Sequence, residues 1–127
     1  MISSPTAVGI DITEVARIRR LLERYGDRFI AHVLGDDERK LLAQRTDRAQ
    51  FVAGRFAAKE AAVKALGQYL NSRPSFSSLQ IMPGDDGRPD LRFSNRIKEL
   101  PRSLSTLVSI SHERDYATAI VILSETK

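Results

Sequence analysis

The sequence predicts an α+β fold, with helices mainly in the first half packed on an antiparallel sheet drawn from the second. Three observations carry this. Apolar residues recur at helical spacing up to Gly67. Gly84-Asp-Asp-Gly87 separates two short apolar runs, which is a hairpin signal. The chain then closes on two strand-like runs joined by a four-residue turn. Helices segregated from antiparallel strands define this class. With 127 residues and no linker, repeat or low-complexity tract, residues 1–127 fit one domain.

The elements follow in order. Ala7-Val-Gly-Ile-Asp-Ile12 reads as a strand buried on both faces except at Asp11. Thr13 is expected to cap the next helix, with Glu14 in its first turn and Val15, Ile18, Leu21 and Leu22 as its apolar stripe. Gly26 ends that helix, and Asp27 opens a short helical piece through Val33. Gly35-Asp-Asp37 opens a helix over Glu38 to Gln44, and Thr46-Asp47 precedes a long helix that ends near Gly67. Gln68 to Ser78, rich in Ser, Asn, Arg and Pro, reads as a loop. Leu79 to Met82 and Pro89 to Phe93 form the hairpin arms. A short helix over Ser94 to Leu100 stops before Pro101. Leu104 to Ser111 alternates, with Leu107, Ser109 and Ser111 on one face and Val108 and Ile110 on the other. His112 to Asp115 is a turn, and Tyr116 to Leu123 is apolar enough to be a central strand.

Composition narrows the chemistry. There is no Cys, so no disulfide and no thiolate metal site, which is compatible with a cytoplasmic location. With two His in the chain, any metal site would rest mainly on carboxylates, which favours a hard ion such as Mg²⁺. The start, Met-Ile-Ser-Ser-Pro-Thr-Ala, has neither the charged nor the apolar segment of a secretion signal, and no membrane span is visible. The net charge of +4, mostly from Arg, suits an anionic partner such as a nucleotide phosphate, an acidic protein or a nucleic acid. Three Tyr and five Phe do not interleave with basic residues as a stacking platform would, which argues against a single-strand nucleic-acid binder.

The long helix carries the main anomaly. Val52, Phe56, Val63 and Leu66 share one arc; Lys59 projects from inside it, and Glu60 from its edge, one turn before Lys64. A charge in a buried stripe is costly unless paired, so Lys59 either meets an acidic partner or lines a polar cleft. Asp11 is the second anomaly. It either hydrogen-bonds a neighbouring turn or, paired with Glu60, gives a two-carboxylate site that leaves positions for water and a substrate phosphate, as Mg²⁺ prefers. Arg55 lies one turn before Lys59 and would extend a cationic line toward a phosphate. His112 stands beside a strand end, where turn histidines are common. Together Asp11, Glu60, Arg55, Lys59, Lys64 and His112 would surround a metal-bound pyrophosphate, a set suited to phosphoryl-type transfer.

Three blocks carry a family resemblance: Gly9-Ile-Asp-Ile-Thr-Glu14, Phe51-Val-Ala-Gly-Arg-Phe-Ala-Ala-Lys-Glu-Ala61 with Lys64-Ala-Leu-Gly67, and Val108-Ser-Ile-Ser-His-Glu-Arg-Asp-Tyr-Ala117. In order and separation they resemble the small bacterial holo-acyl-carrier-protein synthases, which are 4′-phosphopantetheinyl transferases. Gly87-Arg-Pro89 and Arg28-Phe29 with Leu34 are similar to further family segments. The resemblance implies the phosphopantetheinyl transferase fold and transfer of the phosphopantetheine arm from coenzyme A to a serine of acyl carrier protein, releasing 3′,5′-ADP. It implies Asp11 and Glu60 as Mg²⁺ ligands and Lys64 as the cation on the leaving phosphate. Arg55, Lys59, Lys64 and His112 are the implied coenzyme A contacts. It also implies a homotrimer with sites between subunits, and docking of the acidic carrier protein on Arg17, Arg20, Arg24, Arg28 and Phe29. The chain departs from the family at Gln68-Tyr69, where Thr-Gly is usual, at Gly35, where a capping Thr or Ser is usual, and at Ala7, a common Gly. The main rival is a non-catalytic basic module that docks acidic carrier proteins, which would need neither Asp11 nor Glu60; a weaker one is a basic nucleic-acid-binding domain.

Overall fold

A computed structural model describes residues 5–95, 97, 100, 101 and 103–125. The elements are β1 Pro5–Glu14, α1 Val15–Tyr25, α2 Asp27–Val33, α3 Asp36–Leu42, α4 Arg48–Leu66, a 3-10 turn Phe76–Ser78, β2 Leu79–Pro83, β3 Pro89–Phe93, β4 Leu104–His112 and β5 Tyr116–Glu125. The α+β expectation holds, with the helices in the first half. The strands form two antiparallel sheets: a three-stranded one in the order β1-β5-β4, and the β2-β3 hairpin. The last strand is central in its sheet, as its apolar run predicts.

Helix α4 lies across the three-stranded sheet. Its Ala57, Ala58, Ala61, Ala62 and Ala65 are buried against Ala119, Val121 and Leu123 of β5 and against Leu79, Ile81 and Leu91 of the hairpin. Small side chains on the helix let it approach closely. The tightest point is Gly9 on β1, where an added Cβ would sit 1.8 Å from the Ala61 carbonyl oxygen, so only glycine fits. A second cluster joins α1, α2 and α3 to the first half of α4 through Val15, Ile18, Val33, Leu34 and Val52.

Several local expectations are corrected. Thr13 is not a helix cap: it lies buried within β1, and its hydroxyl donates to Asp11 Oδ2 at 2.9 Å. Glu14 takes the cap position of α1 without a side-chain bond, and the first helical N–H, that of Val15, goes to the Asp115 carbonyl at 2.8 Å. Asp47 does cap α4, accepting from Gln50 N–H. Gly35 leads α3 because Gln80 occupies the space a side chain would take; Gln80 Oε1 accepts the Asp37 N–H at 3.1 Å and so replaces the missing cap. His112 is the last residue of β4, paired with Ala117, rather than part of the turn. For the helix expected over Ser94 to Leu100, Arg96, Lys98 and Glu99 lie outside the described residues; the described part shows a single turn, Ile97 N–H to Ser94 carbonyl. The N-terminal Met1 to Ser4 also lies outside them.

The largest correction concerns β1. Only its Gly9, Asp11 and Thr13 side faces α4. Val8, Ile10 and Ile12 are 61%, 66% and 64% exposed. They pair across to Ile122, Ile120 and Thr118 of β5, and Leu107 of β4, opposite Ile122, is exposed as well. The sheet therefore presents an open apolar face on the side away from α4.

Candidate active site

Asp11 and the C-terminal half of α4 meet at the β1 edge of the sheet. Lys64 Nζ donates to the Ile10 carbonyl at 2.9 Å and to Asp11 Oδ1 at 3.3 Å. Glu60 stands one turn before Lys64 on the same helix and accepts from Arg73 Nη2 at 2.8 Å. Both carboxylates are largely covered, with side chains 16% and 24% exposed, whereas Lys64 is 54% exposed. Asp11 is held on its other oxygen by Thr13. Each acid group thus stands on a rigid element next to a cation. No third His, Cys, Asp or Glu joins them among the described residues. Carboxylate oxygens are hard donors and would fit Mg²⁺ better than a soft metal. Arg73 gave no signal in the sequence: it sits in an irregular loop, and only the fold brings it to Glu60 and over the Phe76 ring.

Lys59 is not part of this site. It is fully buried, and its ammonium donates to the Val33 carbonyl at 2.6 Å, to Glu38 Oε1 at 2.6 Å and to the Phe76 carbonyl at 2.9 Å. All three donors are used inside the protein, so none is left for a coenzyme A phosphate. Of the two alternatives for a charge in the apolar stripe, the acidic partner is the one realised. Burial pulls the Lys59 ammonium below its ordinary value, and Glu38 opposes this by charge and hydrogen bond. Lys59→Ala is therefore expected to destabilise the fold by about 3–5 kcal/mol, because it leaves Glu38 buried without its counter-ion. Denaturant unfolding checks this; unchanged stability with weakened coenzyme A binding would restore the phosphate role.

Arg55 and His112 come together elsewhere, at the β4 edge. They line a cavity of ≈ 170 Å³ with Arg45, Thr46, Gln50, Phe51 and Asp47, whose carboxylate accepts from the Gln50 N–H as the cap of α4. The Arg55 guanidinium lies 4.3 Å from the Phe51 ring centroid and donates through Nη2 to the Ile81 carbonyl at 3.2 Å. Its Nε is buried and is the side-chain polar atom left without a partner among the described residues. Burial lowers its pKa from the ordinary arginine value; Glu38 opposes this and Arg45 adds to it. Two arginines and a histidine around an unsatisfied buried donor suit an anion. Arg45, just beyond α3, was not singled out in the sequence because no periodicity marks it.

The α1 arginines are exposed. Arg17 lies over the ring of Phe56, 5.5 Å from its centroid, and Phe56 is one turn before Glu60 on α4, so this face adjoins Glu60. Arg20 reaches Glu14 at 3.4 Å, and Arg24 covers Tyr25. Arg28 is exposed on α2, and half-buried Phe29 contacts Phe56 with ring centroids 6.4 Å apart. Tyr69, one of the departures, bonds Thr6 through its hydroxyl at 2.9 Å and ties the end of α4 to the start of β1.

Among the described residues, no helix is long and apolar enough to cross a membrane. Residues 7–121 match the family described as the 4′-phosphopantetheinyl transferase superfamily. A holo-acyl-carrier-protein synthase of Maridesulfovibrio salexigens is 41% identical over 121 residues, covering 93% of this chain and 97% of that protein. A crystal structure of the Bacillus anthracis holo-acyl-carrier-protein synthase, in complex with CoA (3′,5′-ADP), superposes with a TM-score of 0.79 at 34% identity, covering 96% of this chain and 98% of that one. The Plasmodium yoelii holo-ACP-synthase structure gives 0.84 at 26% identity, over 100% of both chains. Matched along nearly its whole length, the chain belongs to the 4′-phosphopantetheinyl transferase superfamily, among the holo-acyl-carrier-protein synthases.

Proposed function

We propose that this chain, as one domain, moves the 4′-phosphopantetheine arm of coenzyme A onto a serine of acyl carrier protein, with Mg²⁺, in the cytoplasm, releasing 3′,5′-ADP for fatty acid biosynthesis. The observation that carries this reading is the Asp11–Lys64 contact beside Glu60: two sheltered carboxylates and a half-exposed ammonium on rigid elements. A docking module needs none of these. Asp11 and Glu60 would hold Mg²⁺, which when bound would offset the pyrophosphate charge. Lys64 faces the oxygen on which charge develops as 3′,5′-ADP leaves. The serine proton goes to a Glu60 oxygen or to water. Arg55 and His112, with Arg45, hold coenzyme A phosphates.

The two groups of residues lie at opposite edges of one sheet, β1 and β4, with β5 between them. The apolar face of Val8, Ile10, Ile12 and Leu107 stands open. Both facts support a homotrimer in which the carboxylates of one subunit face the Arg55–His112 cavity of the next. A head-to-tail contact of this kind closes into a ring.

The exposed α1 arginines beside Phe56 and Glu60 suit an acidic carrier protein arriving next to the carboxylates. Arg17→Glu is expected to raise the carrier-protein KM roughly tenfold or more, since like-charge juxtaposition costs several kcal/mol. Coenzyme A affinity should stay the same, and the effect should shrink with salt. Steady-state kinetics against each substrate at low and high salt check it; a carrier-protein KM indifferent to both changes removes α1 from the interface. The function itself is tested by incubating the protein with apo-acyl carrier protein, coenzyme A and Mg²⁺. Mass spectrometry should show the carrier gaining the arm, and an unmodified carrier would reject the reading.

A further inference from the structure

We propose that Glu38 is a positioning residue for coenzyme A binding, which fixes the Arg55 guanidinium through the main chain of Ile81. The proposal rests on the reading of the Arg55–His112 cavity as a coenzyme A phosphate site. Glu38 is fully buried, far from the carboxylates of the metal site in sequence, and its carboxylate is saturated with donors. Oε1 accepts from Gly35 N–H at 2.9 Å and from Lys59 Nζ at 2.6 Å; Oε2 accepts from Ile81 N–H at 3.0 Å.

Ile81 is the hinge of the argument. It sits in the middle of β2, opposite Leu91 in a two-stranded sheet, so one edge of β2 has no strand partner. On that open edge its N–H goes to Glu38 and its carbonyl accepts from Arg55 Nη2 at 3.2 Å. The two charged side chains stand where a further strand would pair. Moving the Glu38 carboxylate therefore moves the carbonyl that Arg55 rests on. Arg55 has one edge on Ile81, one face on Phe51 and a buried Nε with no described partner. A guanidinium held this way is preorganised for an anion, and that advantage is lost when the support shifts. The charge of Glu38 also opposes the effect of burial on Arg55. Lys59 is the counter-ion that lets this carboxylate sit in the core.

The test is a double-mutant cycle with four proteins: the parent, Glu38→Gln, Arg55→Ala and the double variant. Calorimetry gives the Kd for coenzyme A and steady-state assays give kcat. Glu38→Gln should raise the Kd about tenfold, a coupling within the usual range for residues in one network, and leave kcat at saturating coenzyme A within roughly threefold. Arg55→Ala should weaken binding at least as much, and in its background Glu38→Gln should cost nothing further. Additive losses, an unchanged Kd for Glu38→Gln, or a fall in kcat equal to the rise in Kd would overturn the positioning role while leaving the cavity reading in place. If Arg55→Ala binds coenzyme A as the parent does, the cavity reading fails and the proposal falls with it. Should Glu38→Gln not fold, Glu38→Asp, which keeps the charge and withdraws the oxygens, enters the same cycle with the same expectations.

Discussion

Asp11→Asn and Glu60→Gln are each expected to lower phosphopantetheine transfer on the order of 1,000-fold, since a metal's stabilisation of transition-state charge is worth several kcal/mol. The amides are the informative substitutions. Asp11 Oδ2 accepts from the buried Thr13 hydroxyl, and Asn keeps an oxygen for that bond while removing the charge. Glu60 is largely covered, but its partner Arg73 is 59% exposed, and Gln keeps an oxygen to accept from it, so the change costs little stability. Circular dichroism and thermal unfolding should thus be close to those of the parent, while Mg²⁺ affinity measured by calorimetry falls with activity. A variant that keeps near-parental rate and is insensitive to EDTA would show that the two carboxylates do not form the site.

Lys64→Ala comes second in size. The ammonium makes two bonds within the chain, to the Ile10 carbonyl and to Asp11, and the side chain remains about half exposed. A cation placed there counts most when the leaving phosphate gathers charge. Removing one such group from a preorganised site costs roughly 100-fold or more in turnover. The expected result is a fall in kcat of about that size with the coenzyme A KM changed by less than about threefold, the pattern of an interaction made mainly in the transition state. A rise in KM with turnover intact would make Lys64 an anchor for the ground state.

Much of the fold was legible because its signals are local. Gly84 to Gly87 announces the hairpin, Gly26 and Asp47 punctuate the helices, and the alternation in β4 separates its two faces correctly. The signals that failed depend on what lies across space. Val8, Ile10 and Ile12 have the composition of a buried strand but lie on the sheet face away from α4, and alternation along the chain does not tell which apolar face is covered. Thr13 has the chemistry of a cap, but the backbone carbonyl of Asp115 already takes the helix's first N–H, so the hydroxyl serves Asp11 instead.

The candidate site divides the same way. Asp11, Glu60 and Lys64 stand out because they interrupt or edge apolar patterns; the structure brings Lys64 to Asp11 at the β1 edge, and Glu60 stands one turn earlier on α4, paired with Arg73. Lys59 stands out for the same reason and belongs to the core. Its partner Glu38 lies on a different helix, and no pattern along the chain distinguishes a charge that is buried and paired from one that lines a cleft. Arg45 and Arg73 lie in irregular segments, where an arginine carries no positional signal until the fold places it.

The central claim is that one working site needs the β1 edge of one subunit and the β4 edge of another. Mixed assemblies test it directly. Asp11→Asn lacks one of the two proposed metal carboxylates but keeps its cavity; the pair Arg55→Ala with His112→Ala lacks two of the cavity's basic side chains but keeps both carboxylates. Co-expressed in equal amounts under separate affinity tags and purified as mixed trimers, they should combine the intact halves in about one site of every three, because each mixed ring holds a single interface of the right kind. Transfer to apo-acyl carrier protein should then recover to about a third of the parental rate, although each variant alone is nearly inactive. Mixed oligomers no more active than the sum of their two parents would contradict a site shared between subunits.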